Sequence, residues 1–142
     1  MSLEELLRNQ TIRKIKPDKK LAQNTLKRAK RDVITAKTLI STNNLDWALA
    51  VSYNAMLTAG RSLMFAKGYR PSSTEGHLAV VKFLNIELKP EIGQKLVMLM
   101  DGMRKKRHRI VYDEMDIVSQ AEAEQSVKWA EEFIDVIVEY IQ

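Results

Sequence analysis

With 142 residues, 45% of them apolar and 29% charged, the chain is the size of one folded domain and has the balance of a globular protein rather than a disordered one. It contains no cysteine, which excludes disulfides, thiolate metal sites and cysteine nucleophiles; its longest apolar run, near Leu96 to Met100, is far too short for the about 20 residues of a membrane-spanning helix. The net charge of +5 is uneven: residues 1–90 hold 16 basic and 7 acidic side chains, residues 91–142 hold 7 and 11.

The chain opens Met1-Ser2-Leu3-Glu4-Glu5, acidic and amphipathic, without the basic flank and apolar centre of a secretory leader. A cytoplasmic protein is expected. A helical turn is predicted at about Leu3–Arg8, then a basic linker to Pro17, so that residues 1–17 extend a single domain spanning 1–142. Asp18 is a natural N-cap for a helix to about Thr42, with Ala22, Leu26, Ala29, Val33, Ala36 and Ile40 on one apolar stripe and Asn43-Asn44 as its end. The next helix is expected from Leu45 to Lys67, closed by Gly68 in a left-handed C-cap. It carries Leu49, Ser52, Met56, Ala59 and Leu63, with small residues beside them that let another helix approach.

Ser72-Ser73-Thr74-Glu75 reads as a capping box for a short helix to roughly Asn85. A fifth helix begins near Pro90, a favoured first-turn residue, and carries Ile92, Leu96, Leu99 and Met103; Asp101-Gly102 is a point where it could break or bend. Ser119 and Glu122 form a second capping box and open the last helix, to Ile141. That helix has two apolar faces, Val127, Ala130, Ile134, Ile137 and Ile141 on one and Trp129, Phe133, Val136 and Tyr140 on the other. A single buried stripe suffices in a small bundle, so two imply a central position or a subunit interface. β-Branched alternation is absent, and strands have little support.

Basic residues cluster twice, from Arg8 to Arg31 with only Asp18 opposing, and at Arg104-Lys105-Lys106-Arg107-His108-Arg109. Such clusters attract phosphate polymers, although charge runs also serve as solvated helix faces. In the second cluster, Arg107 continues the stripe of Ile92, Leu96, Leu99 and Met103. An arginine in phase with apolar residues needs an anionic or hydrogen-bonding partner: a phosphate held by its planar fork, or a carboxylate such as Asp113 or Glu114. Arg61 lies at i±4 from Leu57 and Phe65 and either reaches the same cleft or is solvated. His77 suits packing or capping. Two histidines in separate segments, with no inward acidic pair in phase, make no metal site, and no pattern calls for a cofactor.

Arg107-His108-Arg109-Ile110-Val111-Tyr112-Asp113 resembles the signature of HEPN domains, helical proteins named for nucleotide binding in higher eukaryotes and prokaryotes. That signature is an arginine, a polar residue, a short gap and a histidine, late in the penultimate long helix. The stretches from Tyr53 to Pro71 and from Gly76 to Leu84 resemble the family's central helix and the short helix after it, and the resemblance covers roughly Asp18 to Gln142.

The resemblance implies an all-α, up-and-down bundle of four or five helices that forms a homodimer and brings two motifs to one cleft. It implies binding of RNA or nucleotide phosphates, and in many members metal-independent ribonuclease activity, often as a toxin encoded beside a minimal nucleotidyltransferase. Carried over, Arg107 takes the arginine position and His108 the polar one; Arg104 in the same basic run and Arg61 at its helical spacing, neither of them part of the family motif, are expected as further phosphate contacts. Tyr112 stands where the family has its catalytic histidine. A phenol with a reference pKa of about 10 does not trade protons at neutral pH as an imidazole near about 6.5 does, so Tyr112 is expected to bind rather than catalyse. His108 is then the one imidazole of the motif that could supply catalysis. The rival expectation is a non-catalytic interaction module, antitoxin-like or a scaffold, whose basic face docks an acidic partner.

Overall fold

Six helices and one strand pair make up the residues described by the computed structural model, 1–72 and 76–142. In chain order they are α1 (Leu3–Arg8), β1 (Ile12–Lys14), α2 (Lys19–Ser41), α3 (Leu45–Lys67), β2 (Tyr69–Pro71), α4 (Gly76–Glu87), α5 (Pro90–Tyr112) and α6 (Gln120–Ile141). The fold is all-α in class, and α2, α3 and α6 follow the boundaries expected from their caps. Asp18 accepts the Leu21 N–H, Gly68 closes α3 at φ 91°, and Ser119 and Glu122 form the reciprocal capping box of α6. The proposed box at Ser72–Glu75 lies largely outside the described residues; α4 runs from Gly76 to Glu87.

Two expectations are corrected. The segment between α1 and α2 is not only a linker: Ile12–Lys14 pairs antiparallel with Tyr69–Pro71, because burial of Ile12 gives a three-residue ribbon an anchor that no alternating pattern announces. Asp101-Gly102 does not interrupt α5, since Asp101 ties Arg104 and Lys105 at 2.9 and 3.1 Å and Gly102 faces open space. The central helix is α3, as its resemblance to the family's central helix implies, and α6, for which the sequence leaves a central position as one of two alternatives, packs against α3 and α2. Helix α3 is buried nearly all round, from Ala48 to Met64, and packs against α2, α4, α5 and α6. Small residues make this possible. A Cβ at Gly60 would fall 2.5 Å from Val80 Cγ1 and 3.2 Å from Leu84 Cδ1, so the crossing of α3 and α4 is as close as glycine allows.

The main core runs from Leu6 to Ile137, with Tyr53, Met56, Leu63, Phe83, Met100 and Phe133 fully enclosed. Leu49, Val118 and Ala123 form a smaller cluster where α3 meets the α5–α6 connection. There the Asp46 carboxylate accepts the backbone N–H groups of Asp116, Ile117 and Val118 at 2.7, 3.1 and 3.1 Å. One side chain thus satisfies three donors just before the α6 cap. Both α5 and α6 lie on α3, but their own backbones stand apart and a groove of about 710 Å³ opens between them. Ile92, Leu96 and Leu99 of the α5 stripe are only partly buried for this reason. Among the described residues no helix is long and apolar enough to cross a membrane.

Candidate functional site

Tyr53 sits at the middle of α3 among small neighbours, fully buried. A buried phenol needs a partner for its hydroxyl, and it finds one across the fold: Tyr53 Oη lies 3.0 Å from His77 Nδ1 at the start of α4. The two rings are stacked, 5.7 Å apart between centroids and 12° from parallel. They line a groove of about 520 Å³ with Leu78 and Val81 of α4 and Val97, Met98, Met100, Asp101 and Arg104 of α5. Its walls are apolar and its polar groups few and convergent, the usual make-up of a ligand site.

The charges of three arginines on two helices act on this pair. Burial pushes the Tyr53 hydroxyl up to about 12, against the opposing pull of the Arg104, Arg107 and Arg61 guanidiniums. The same burial lowers the His77 pKa below its ordinary value, and Arg107, Arg61 and Arg104 lower it further. At neutral pH the phenol keeps its proton and the imidazole is uncharged, so the positive field of the groove comes from the guanidiniums.

Their partners differ. Arg104 is held by Asp101, whose carboxyl is kept below the usual carboxylate range by hydrogen bonds from Arg104 and Lys105. The guanidinium of Arg61 reaches the first turn of α4, where a Cβ at Gly76 would lie 3.3 Å from its Nη2. Arg107 is half-buried and makes no ion pair with a described carboxylate. Of the carboxylates weighed as its partners, Glu114 binds Arg109 at 2.9 Å, and Asp113 is exposed with no ion pair among the described residues.

The structure therefore divides the residues singled out in the sequence. Arg104 lines the groove, and the charges of Arg61 and Arg107 act on its Tyr53–His77 pair. His108 and Tyr112 form a separate pair near the end of α5, with ring centroids 4.7 Å apart; Tyr112 is 71% exposed and neither residue lines the groove. The imidazole that does line it is His77, which sequence reasoning put down to packing or capping. Its link to Tyr53 spans 24 positions, and no periodicity within one helix reports it. Among the described residues no three histidine or acidic side chains gather as a metal-binding group.

The family model for the HEPN domain matches residues 22–141. No curated protein and no solved structure matches the chain.

Proposed function

Because the chain belongs to the HEPN domain family, we propose that it binds RNA or nucleotide phosphates in the α3–α4–α5 groove, through Arg107 with Arg104 and Arg61. The observation that supports this reading is the groove lined by Arg104 and the Tyr53–His77 pair, with the charges of Arg61 and Arg107 also acting on that pair and Arg107 left without a described carboxylate partner. A planar guanidinium with no ion partner among the described residues is suited to a phosphate. The motif itself carries Tyr112 in place of the family's histidine, so the reading is of a binding site with little ribonuclease activity of its own.

The test is a gel shift with single-stranded RNA over a range of salt. Phosphate contacts release counterions, and affinity falls steeply as salt rises. Arg107→Ala removes a charge-assisted contact worth about 1.5–3 kcal/mol, so affinity should drop about ten-fold or more while the thermal midpoint holds. A collapsed midpoint with unchanged binding by the folded fraction would make Arg107 a structural residue.

A second reading has its own observation. Val111, Tyr112 and Met115 are exposed by 37%, 71% and 79% beside the basic end of α5. Exposed aromatic and methionine side chains next to arginine are typical of protein interfaces. In this reading the α5 end docks an acidic partner, such as a minimal nucleotidyltransferase in a toxin–antitoxin pair. RNA binding that is absent at low salt, together with capture of such a partner that Tyr112→Ala abolishes, would favour it.

A further inference from the structure

His77 is the one titratable group of the groove that changes charge near neutral pH, and it is held in an unusual way. Nδ1 is engaged by the Tyr53 hydroxyl, and Nε2 has no partner among the described residues. The ring is fixed by stacking on a phenol that is itself fully buried. A side chain oriented this firmly, with one nitrogen unspent and a groove of about 520 Å³ in front of it, is placed to meet a ligand.

We infer that His77 is the proton-accepting residue of this groove: it takes up a proton as a phosphodiester enters beside Arg104, within the field of Arg61 and Arg107, and becomes a further cationic contact to it. The inference rests on the reading of the groove as a phosphate site. Its physical basis is linkage. In the free protein the three guanidiniums and burial disfavour the imidazolium. An anion seated in their field cancels that repulsion and offers Nε2 an acceptor at hydrogen-bond range, so the histidine pKa rises on binding.

Among the described residues, the charged groups acting on His77 come from two elements: Arg61 on α3, and Arg104 and Arg107 on α5. Tyr53 stays neutral, and Asp101 is occupied by Arg104 and Lys105. Elements α1 and β2 also touch α4, but Glu4, Glu5, Arg8 and Arg70 are not among the groups that shift His77.

Since the complex holds a proton that the free protein lacks, affinity must increase as pH falls through the bound-state pKa and level off below the free-state one. The slope approaches about ten-fold per pH unit between the two. The probe is an oligouridylate without terminal phosphates, in which neither the diester nor the base titrates between about pH 5 and pH 8, where histidine does.

Two measurements decide the matter. Binding is followed by fluorescence anisotropy across that range at constant ionic strength, for wild type, His77→Gln and His108→Gln. Wild type and His108→Gln should gain affinity on acidification, and His77→Gln should stay flat at the wild-type value of the alkaline end. The second measurement needs no substitution. The chain has two histidines, so proton NMR reads each imidazole directly, and the His77 midpoint should move up on saturation with the probe.

A flat wild-type profile, a slope that survives His77→Gln, a slope that His108→Gln removes, or a His77 midpoint unmoved by the ligand would each overturn the inference while leaving the phosphate site standing. Absence of oligouridylate binding at every pH would instead remove the phosphate site, and the inference with it.

Discussion

At the scale of single residues, the Tyr53–His77 pair governs what the groove can do. The Tyr53 hydroxyl is pushed up to about 12, well above the reference of about 10, so folding favours the neutral phenol. The stability this gives is full below the unfolded-state pKa and is lost as pH rises from there through about 12. An absorbance titration of the four tyrosines should contain a phenolate step at about 12 that Tyr53→Phe removes; removal of a step in the ordinary tyrosine range instead would mean that the hydroxyl is not enclosed. Any ribonuclease activity is a separate question. On the reading that Tyr112 takes the place of the family's histidine, metal-independent cleavage of single-stranded RNA should be slight in chelator, and Tyr112→His should raise it. A positioned acid–base group gives about 10²–10⁴-fold, and Arg107→Ala controls for contaminating nuclease. Robust wild-type cleavage lost in His108→Ala would show that the neighbouring imidazole already does the work. Much of this site could be read from the chain: Arg107 stands in phase with Met103, and Arg61 is at helical spacing from Leu57 and Phe65. What the chain hid was tertiary. Tyr53 and His77 lie in two separate stretches that resemble the family's helices, and nothing within either stretch reports that the two side chains meet.

At the scale of elements, capping chemistry carried most of the legible information. Asp18, Gly68, Ser119 and Glu122 mark helix ends through bonds to the backbone within a few positions, so they can be read locally. The β1–β2 ribbon could not, because it joins Ile12 to Pro71 and Ile12 is buried only once α3 has returned the chain to it. The Asp46 clamp is the same kind of feature. An acidic residue in the first turn of α3 reads as dipole compensation, yet its two oxygens take three N–H groups about 70 residues later, at Asp116, Ile117 and Val118. Asp116 sits there at φ 58°, a left-handed conformation that L residues rarely adopt and that the carboxylate helps to hold. Asp46→Ala should therefore cost about 2–3 kcal/mol, since hydrogen bonds to a charged group are worth about 1.5–3 kcal/mol and water can replace part of the loss. Thermal melting would show a clear drop in midpoint, smaller for Asp46→Asn, which keeps one acceptor oxygen. A midpoint for Asp46→Ala equal to wild type would mean that the connection is held by Ile117 and Val118 packing alone.

At the scale of the whole molecule, the unfilled space lies between α5 and α6. The second apolar face of α6 is neither core nor fully exposed: Phe133 is enclosed, while Trp129, Val136 and Tyr140 are half-buried. Trp129 lines the groove of about 710 Å³ with Met98, Leu99 and Met103, and an adjoining one of about 250 Å³ with Ile92, Leu96 and Val136. The rim carries Lys95, Lys106 and Glu122. Met98 is 76% exposed at its edge. A contiguous apolar trough with a charged rim is the pattern of an interface. The sequence suggested this from the α6 stripe alone; the α5 side was hidden because Ile92, Leu96 and Leu99 read as ordinary core. A homodimer with this trough in the interface is therefore expected in solution. A charge placed at its centre should break it, because an unpaired carboxylate in a desolvated interface is costly. Light scattering at micromolar concentration should give a dimer mass for wild type and a monomer mass for Trp129→Glu, with helix content unchanged by circular dichroism. A monomeric wild type would remove the expectation outright. A dimer that persists in Trp129→Glu would move the interface to another face, and the trough would then be an open flank of the core.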